Sequence, residues 1–186
     1  PISNIVDATN YTMLELGEPL HAFDYDVLVQ RAGGKKVRII TRTATPGEKL
    51  TTLDNVERTL DENTVLVCDE SGALSIAGVM GGLESEISEK TTSILLEGAA
   101  WNFINIRKTA RAQMLPSEAS YRFSRGVHPS MTVPGVVRCL ELMSAWGGGF
   151  IAPGLVDEYP RPHPDPVILI SQEDVKRWLG INVSNE

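Results

Sequence analysis

Residues 64–80 read TVLVCDESGALSIAGVM, and their pattern decides the fold class. An apolar, β-branched run ends at Cys68, a polar turn passes through Ser71-Gly72, and a second apolar run follows. Strand, turn, strand is the signature of an antiparallel hairpin. Upstream, KLTTLDNVERTL (49–60) places Asp54-Asn55 between two short strand-like runs, a second hairpin signal, and VRIITR (37–42) reads as a further strand. Downstream, SILLEG (93–98) reads as a strand too.

Beyond residue 100 the period changes. WNFINIRKTARAQM puts Phe103, Ile106, Ala110 and Met114 on one helical face. Pro116 suits the first turn of a second helix through SEASYRF. VPGVVRCLELMSAW gives a third helix, closed by Gly147, Gly148 and Gly149. A helix also precedes the strands: VDATNYTMLELGEP has apolar Val6, Met13, Leu14 and Leu16, Asp7 or Thr9 to cap it, and Gly17 and Pro19 to stop it. Mixed or antiparallel strands gathered in the first half and helices in the second predict an α+β class, a layered sandwich rather than alternating α/β units.

Residues 159–166, YPRPHPDP, hold four prolines and read as a stiff linker, with His163 solvated within it. VILISQEDVKRWLGINVSNE then offers one strand and one capped helix, too little to bury a core alone, and reads as the start of a second domain. The chain opens on PISNIVD without an initiator methionine, which points to an excised piece of a longer protein. No signal peptide and no apolar stretch of membrane-spanning length is read.

The 186 residues are 42% hydrophobic and 22% charged, ordinary globular values, with a net charge of −7. Nucleic acid would therefore have to be met by a local patch. Cys68 and Cys139 form no CxxC pair, and Cys68 reads as a buried thiol rather than half of a disulfide framework. The histidines His21, His128 and His163 have no metal-ligand spacing, so no metal is expected. No GxSxG or HExxH occurs.

Gly81-Gly82 in AGVMGGLESE (77–86) asks what the backbone needs there that a side chain would spoil. GVMGG matches neither GxxxxGK(S/T) nor GxGxxG, and Glu84 and Glu86 would repel a phosphate. A tight turn and a pocket wall remain. His21 in LHAFD reads as a packed core histidine unless a site claims it. Glu97 ends an apolar strand and needs a partner, which Arg107 or Arg111 could supply, or else a wet cavity. Arg107, Lys108, Arg111, Arg122 and Arg125 form a basic cluster opposed by Glu118, either a solvated helix face or a local patch for an anionic ligand.

Five ordered stretches, PISNIVDATNYTMLELGEPLHAFDYD, AGVMGGLESEI, ILLEGA, IRKTAR and SEASYRFSRGVHP, together resemble the B3/B4 module of the bacterial phenylalanyl-tRNA synthetase β subunit, and the tail from Val167 resembles the opening of the B5 module. Ser117 stands where a TEAS-like motif has Thr, and Ser124 and His128 stand where acidic residues usually flank RG. The resemblance implies a B3/B4-type sandwich over residues 1–158, an editing domain, and a linker with a truncated B5 start over 159–186. It implies hydrolysis of tyrosine wrongly attached to tRNA(Phe). In that family the positions matching Glu97 and the Gly81 main chain contact the tyrosine hydroxyl, and those matching Ser117 and Ala119 border the pocket. A held water attacks the ester, and His21, with Asn10 and Thr9, would orient that water or the terminal ribose. On this reading Gly81 is bare because the ligand approaches the backbone.

The partners implied are the tRNA(Phe) 3′ end, with the basic cluster as a tRNA contact, and the α subunit of an α2β2 synthetase. The fragment needs no cofactor of its own. The parent would be a cytoplasmic enzyme of protein biosynthesis that uses ATP and Mg, with no membrane contact. A non-catalytic tRNA- or subunit-binding module and a free-standing aminoacyl-ester hydrolase stay open beside it.

Overall fold

The computed structural model describes residues 1–162, 164 and 166–184; His163 lies outside the described residues. Residues Pro1–Pro153 form one compact unit and Gly154–Glu186 a second.

In the first unit, α1 (Asn4–Leu16) begins earlier than expected, because Ser3 rather than Asp7 or Thr9 is its cap: the Ser3 hydroxyl accepts from the Val6 amide. Asp7 instead accepts from the Ile2 amide, and the Thr9 hydroxyl donates back to the Val6 carbonyl. Gly17, at φ 76, ends the helix as predicted. The chain turns into β1 (Leu20–Asp24), and Asp24 caps α2 (Tyr25–Arg31), two elements the sequence reading passed over. β2 (Ile40–Thr43) starts later than the expected strand. β3 (Lys49–Thr51) and β4 (Glu57–Thr59) form the expected hairpin, with Asn55 at φ 61 in its turn. The opening stretch folds into β5 (Val65–Asp69) and β6 (Gly72–Ile76), paired antiparallel with a bulge at Val67–Cys68. β7 (Met80–Gly81) follows, and the sheet order is β2-β5-β6-β7. β8 (Ile94–Gly98) pairs with β1 in a separate two-stranded ribbon.

The helices follow: α3 (Phe103–Ala112), α4 (Glu118–Phe123) and α5 (Thr132–Gly147). Met114 does not join the apolar face of α3. It lies beyond the helix at φ 49 and is 87% exposed. Pro116 is not in the first turn of α4, because Ser117 caps that helix in a capping box with Ser120. The α+β expectation holds, with α1 ahead of the strands and α2 among them.

Alternation along the β1–β8 ribbon makes it the middle layer. Ala22 and Leu96 face one way and pack with Ala8 of α1 and Cys139 and Leu142 of α5. Phe23 and Leu95 face the other way and pack with Val67 and Leu74 of the four-stranded sheet and Leu28 of α2. Against the sheet's remaining apolar side chains, Ile106 of α3 and Phe123 of α4 complete a third cluster with Leu66 and Ile76. Phe23, fully buried, contributes on the order of 2 kcal/mol of apolar transfer alone. Cys68 and Cys139 are both buried free thiols.

Arg31 ties these layers together. It donates to both carboxylate oxygens of Asp69 at 2.6 and 2.9 Å and also to Glu84, in the turn after Gly81-Gly82.

In the second unit, Ser171 caps α6 (Gln172–Leu179) through a capping box and Gly180 ends it. The run Val167–Ile170, expected to be a strand, is exposed coil. A strand is held by a neighbour's ladder, and none pairs with this run among the described residues.

Candidate functional site

His21 and Glu97 stand directly opposite each other in the β1–β8 register. Side chains so paired have Cβ atoms about 5 Å apart. Because they share the face of Phe23 and Leu95, they point toward the four-stranded sheet, where they border a cavity of about 260 Å³. Gly81 forms another wall, Thr9 and Asn10 come from α1, and Ser117 and Ala119 from the start of α4. All seven residues expected to build the site thus border one cavity. Ser75, Met80, Leu53 and Trp101 border it too. The sequence reading missed these four, since nothing distinguishes them from core or loop residues in the linear pattern.

The electrostatics follow from burial. His21 Nε2 and Glu97 Oε2 are buried with no hydrogen-bond partner. Burial lowers the His21 pKa to about 4 and raises that of Glu97 to about 7. Both residues are half-buried. At neutral pH the imidazole is uncharged, and the carboxyl is poised between its acid and ionised forms. The imidazole meets the Phe23 ring edge-on at 4.5 Å between centroids. Neither arginine proposed as a partner pairs with Glu97: among the described residues it has no ion pair, and Arg107 donates instead to the Ser124 carbonyl.

Gly81 is bare for a second reason, besides any ligand. A Cβ built on it would lie 2.5 Å from His21 Cε1 and 2.9 Å from His21 Nε2. The imidazole lies against the main chain at Gly81. At Gly82 the obstacle is backbone: a Cβ would lie 2.4 Å from the Leu74 carbonyl oxygen, which accepts the Gly82 amide at 2.8 Å. The two glycines therefore serve different ends, one admitting the imidazole and the other allowing close strand approach.

The hydroxyl of Ser117 is committed to structure. It donates to the Val79 carbonyl at 2.6 Å and accepts from the Ser120 amide, so it fastens α4 to the chain just before Met80-Gly81. Of the departures noted in the sequence, Ser124 donates to the Tyr121 carbonyl, and His128 caps a short turn by accepting from the Ser130 amide. Within the basic cluster, Arg122 pairs with Glu118, and Arg125 stacks 3.5 Å from the Tyr121 ring centroid. Arg107 and Arg111 border a groove between α3 and α4, whereas Lys108, Arg122 and Arg125 border neither that groove nor the cavity.

Glu18, unremarked in the sequence, is fully buried between Gly17 and Pro19, against Gly135 of α5. Burial raises its pKa to about 7, opposed by the nearby Ala99 amide, although neither carboxyl oxygen reaches good hydrogen-bond geometry. A carboxyl raised in the folded state stabilises most below its unfolded pKa and loses that contribution as pH rises through the folded value. Glu18→Gln is therefore expected to be more stable than the parent at pH 8, with the difference shrinking toward pH 5. Urea midpoints at the two pH values measure this, and a difference constant across pH would show that Glu18 does not titrate in the fold.

The first unit is thus an α+β layered domain that brings a register-paired, unsatisfied histidine and glutamate to one cavity. The chain belongs to the B3/4 domain family, whose profile matches residues 1–148. It is 45% identical over 185 residues to the phenylalanine–tRNA ligase beta subunit of Anaeromyxobacter dehalogenans, covering all of this chain and 22% of that protein. It is 49% identical over 168 residues to the protein of the same name from Nocardia farcinica, covering 90% and 19%. It is 44% identical over 186 residues to that of Symbiobacterium thermophilum, covering 100% and 20%. The chain thus spans about a fifth of the length of these relatives. The resemblance carried by the five stretches holds across the chain. No helix among the described residues is long and apolar enough to cross a membrane.

Proposed function

We propose that residues 1–158 are an editing domain that hydrolyses tyrosine from mischarged tRNA(Phe), within the β subunit of an ATP- and Mg-dependent phenylalanine–tRNA ligase, and that residues 159–186 lead into the following B5 module. The parent would work in the cytoplasm beside an α subunit in an α2β2 assembly. The observation that carries the reading is the pair of orphaned buried atoms, His21 Nε2 and Glu97 Oε2, facing one cavity. An unsatisfied buried polar atom costs about 1–3 kcal/mol, and a ligand hydroxyl relieves it. The cavity is smaller than the roughly 300–1,000 Å³ of sites for drug-sized ligands, a scale suited to one amino acid.

A synthetic site that selects an apolar ring rejects an added hydroxyl by only about 10², so a second site that hydrogen-bonds the hydroxyl improves fidelity. The Glu97 carboxylate accepts a hydrogen bond from the phenol hydroxyl, and the Gly81 main chain lies beside it. Hydrolysis adds water to the ester carbonyl, the carbonyl–ribose oxygen bond breaks, and the ribose oxygen takes a proton while tyrosine leaves as its carboxylate. The adjacent ribose hydroxyl assists, and Asn10 and Thr9 lie along the α1 wall to orient the ribose. With a pKa near 4, His21 is a poor base at neutral pH and acts by holding a water or hydroxyl through its neutral ring.

The test is deacylation of tyrosyl- and phenylalanyl-tRNA(Phe) by this chain and by the whole β subunit with its α subunit. Preferential release of tyrosine is expected. Binding without release from either would leave a non-catalytic tRNA module instead, and equal release of small aminoacyl esters would favour a free-standing esterase.

A further inference from the structure

β6, GALSI, carries a single polar side chain, Ser75. Ser75 is paired with Val67 of β5 and so shares its face, toward the β1–β8 ribbon, where Val67 and Leu74 pack with Phe23. Ser75 is only 5% exposed, and it borders the cavity. Its hydroxyl makes no hydrogen bond among the described residues, yet it is not sealed in the core as that of Ser85 is. A buried hydroxyl among apolar neighbours ordinarily has a partner, and here the open direction is the cavity.

Ser75 also stands directly opposite Gly81. The bond from the Gly82 amide to the Leu74 carbonyl flanks this pair. Ser75 and Gly81 are thus a pair that exchanges no hydrogen bonds, with Cα atoms about 4.5 Å apart and side-chain positions at their closest. The side-chain position at Gly81 is where the His21 imidazole lies, and His21 faces Glu97 across the ribbon. The Ser75 hydroxyl therefore joins His21 and Glu97 on the wall beside the Gly81 main chain. A phenol hydroxyl has one proton to give and lone pairs that accept. With its proton directed at the Glu97 carboxylate, its oxygen is an acceptor beside a free serine donor.

We propose that Ser75 is a specificity-determining residue of the cavity, its hydroxyl donating to the phenol oxygen while the phenol donates to Glu97. The assignment rests on the proposed reading of the cavity as the seat of a tyrosyl group. Glu97 then selects for a donor and Ser75 for an acceptor, and only a group that is both satisfies the pair.

The probes are the amides of tyrosine, phenylalanine and 4-aminophenylalanine, titrated into this chain at pH 8 and followed by NMR. The amino group of the third donates as the phenol does but accepts poorly. Ser75→Ala should weaken tyrosinamide binding about three- to tenfold, the size of one neutral hydrogen bond, and leave the other two amides unchanged. Glu97→Ala should weaken both the tyrosine and the 4-amino compounds. Ser85→Ala, a buried serine off the cavity, is the control and should change no binding constant. The melting temperature of Ser75→Ala should not fall, because no bond within the fold is lost. Unchanged tyrosinamide binding, equal weakening of all three amides, or a lowered melting temperature would overturn the assignment. If Ser75→Ala shows the selective loss while the wild type releases nothing from tyrosyl-tRNA(Phe), Ser75 stands and the hydrolytic reading falls. If the wild type edits and Ser75→Ala binds tyrosinamide as tightly as it does, the editing reading stands and Ser75 falls. A wild type that does not prefer tyrosinamide to phenylalaninamide overturns both.

Discussion

Glu97→Ala is expected to lower hydrolysis of tyrosyl-tRNA(Phe) by about one to two decades while leaving the phenylalanyl ester nearly unchanged. A hydrogen bond to a charged group contributes roughly 1.5–3 kcal/mol, and about 1.4 kcal/mol is tenfold in rate. The phenyl ring has no hydroxyl to offer, so it loses nothing. The competing explanation, a structural ion pair with Arg107 or Arg111, would make the same substitution unfold the domain and depress both activities together. Glu97 has no such pair among the described residues, which favours the selective outcome. The effect also carries a pH signature. Burial holds the carboxyl near a pKa of 7, so the charge-assisted bond strengthens as pH rises through neutrality. The gap between parent and variant should widen from pH 6 to pH 8. An unchanged tyrosine-to-phenylalanine ratio at any pH, with the melting temperature intact, would remove Glu97 from recognition.

Gly81→Ala should cost about a hundredfold in the same reaction with little loss of stability. The added methyl would fall on the imidazole, which is the end of a side chain and can swing away, but only by leaving its seat beside Glu97. A displacement of about 1 Å in a positioned group is enough to cost on the order of 10². Gly82→Ala is the contrasting case. There the methyl meets the Leu74 carbonyl, which cannot move without spoiling the β6 ladder, so stability should fall by about 1–3 kcal/mol. Deacylation rates and urea midpoints of the two variants should separate cleanly. Equal loss of stability in both would mean that the imidazole is as immovable as the backbone, and activity could then no longer be read as a matter of position.

The adjacent glycines also show how far the linear text reaches. Their failure to match a phosphate loop was legible from spacing and from Glu84 and Glu86. That one makes room for an imidazole and the other for a carbonyl was not, because both neighbours arrive from distant parts of the chain. The β5–β6 and β3–β4 hairpins were readable because their partners are local and their turns carry Ser71-Gly72 and Asp54-Asn55. β1 was not, since LHAFD is too short for a clear period and its ladder partner, β8, is distant in the chain. Pro116 misled because the cap was Ser117, one residue on, and caps compete at that range. Glu18 gave no sign of burial, standing as it does between a glycine and a proline that usually mark a surface turn.

The β1–β8 ribbon pairs Leu20 with Gly98 across about half of the first unit, and no turn helps to close it. Closing so long a loop is entropically unfavourable until the intervening hairpins have compacted the chain. His21 and Glu97 therefore cannot meet in a partly folded molecule that lacks this pairing. The local hairpins are suited to forming early and the ribbon late, so recovery of function during refolding should coincide with the slowest structural phase. A nascent chain halted before residue 94 would carry the histidine, both glycines and much of the sheet, yet it would be inert.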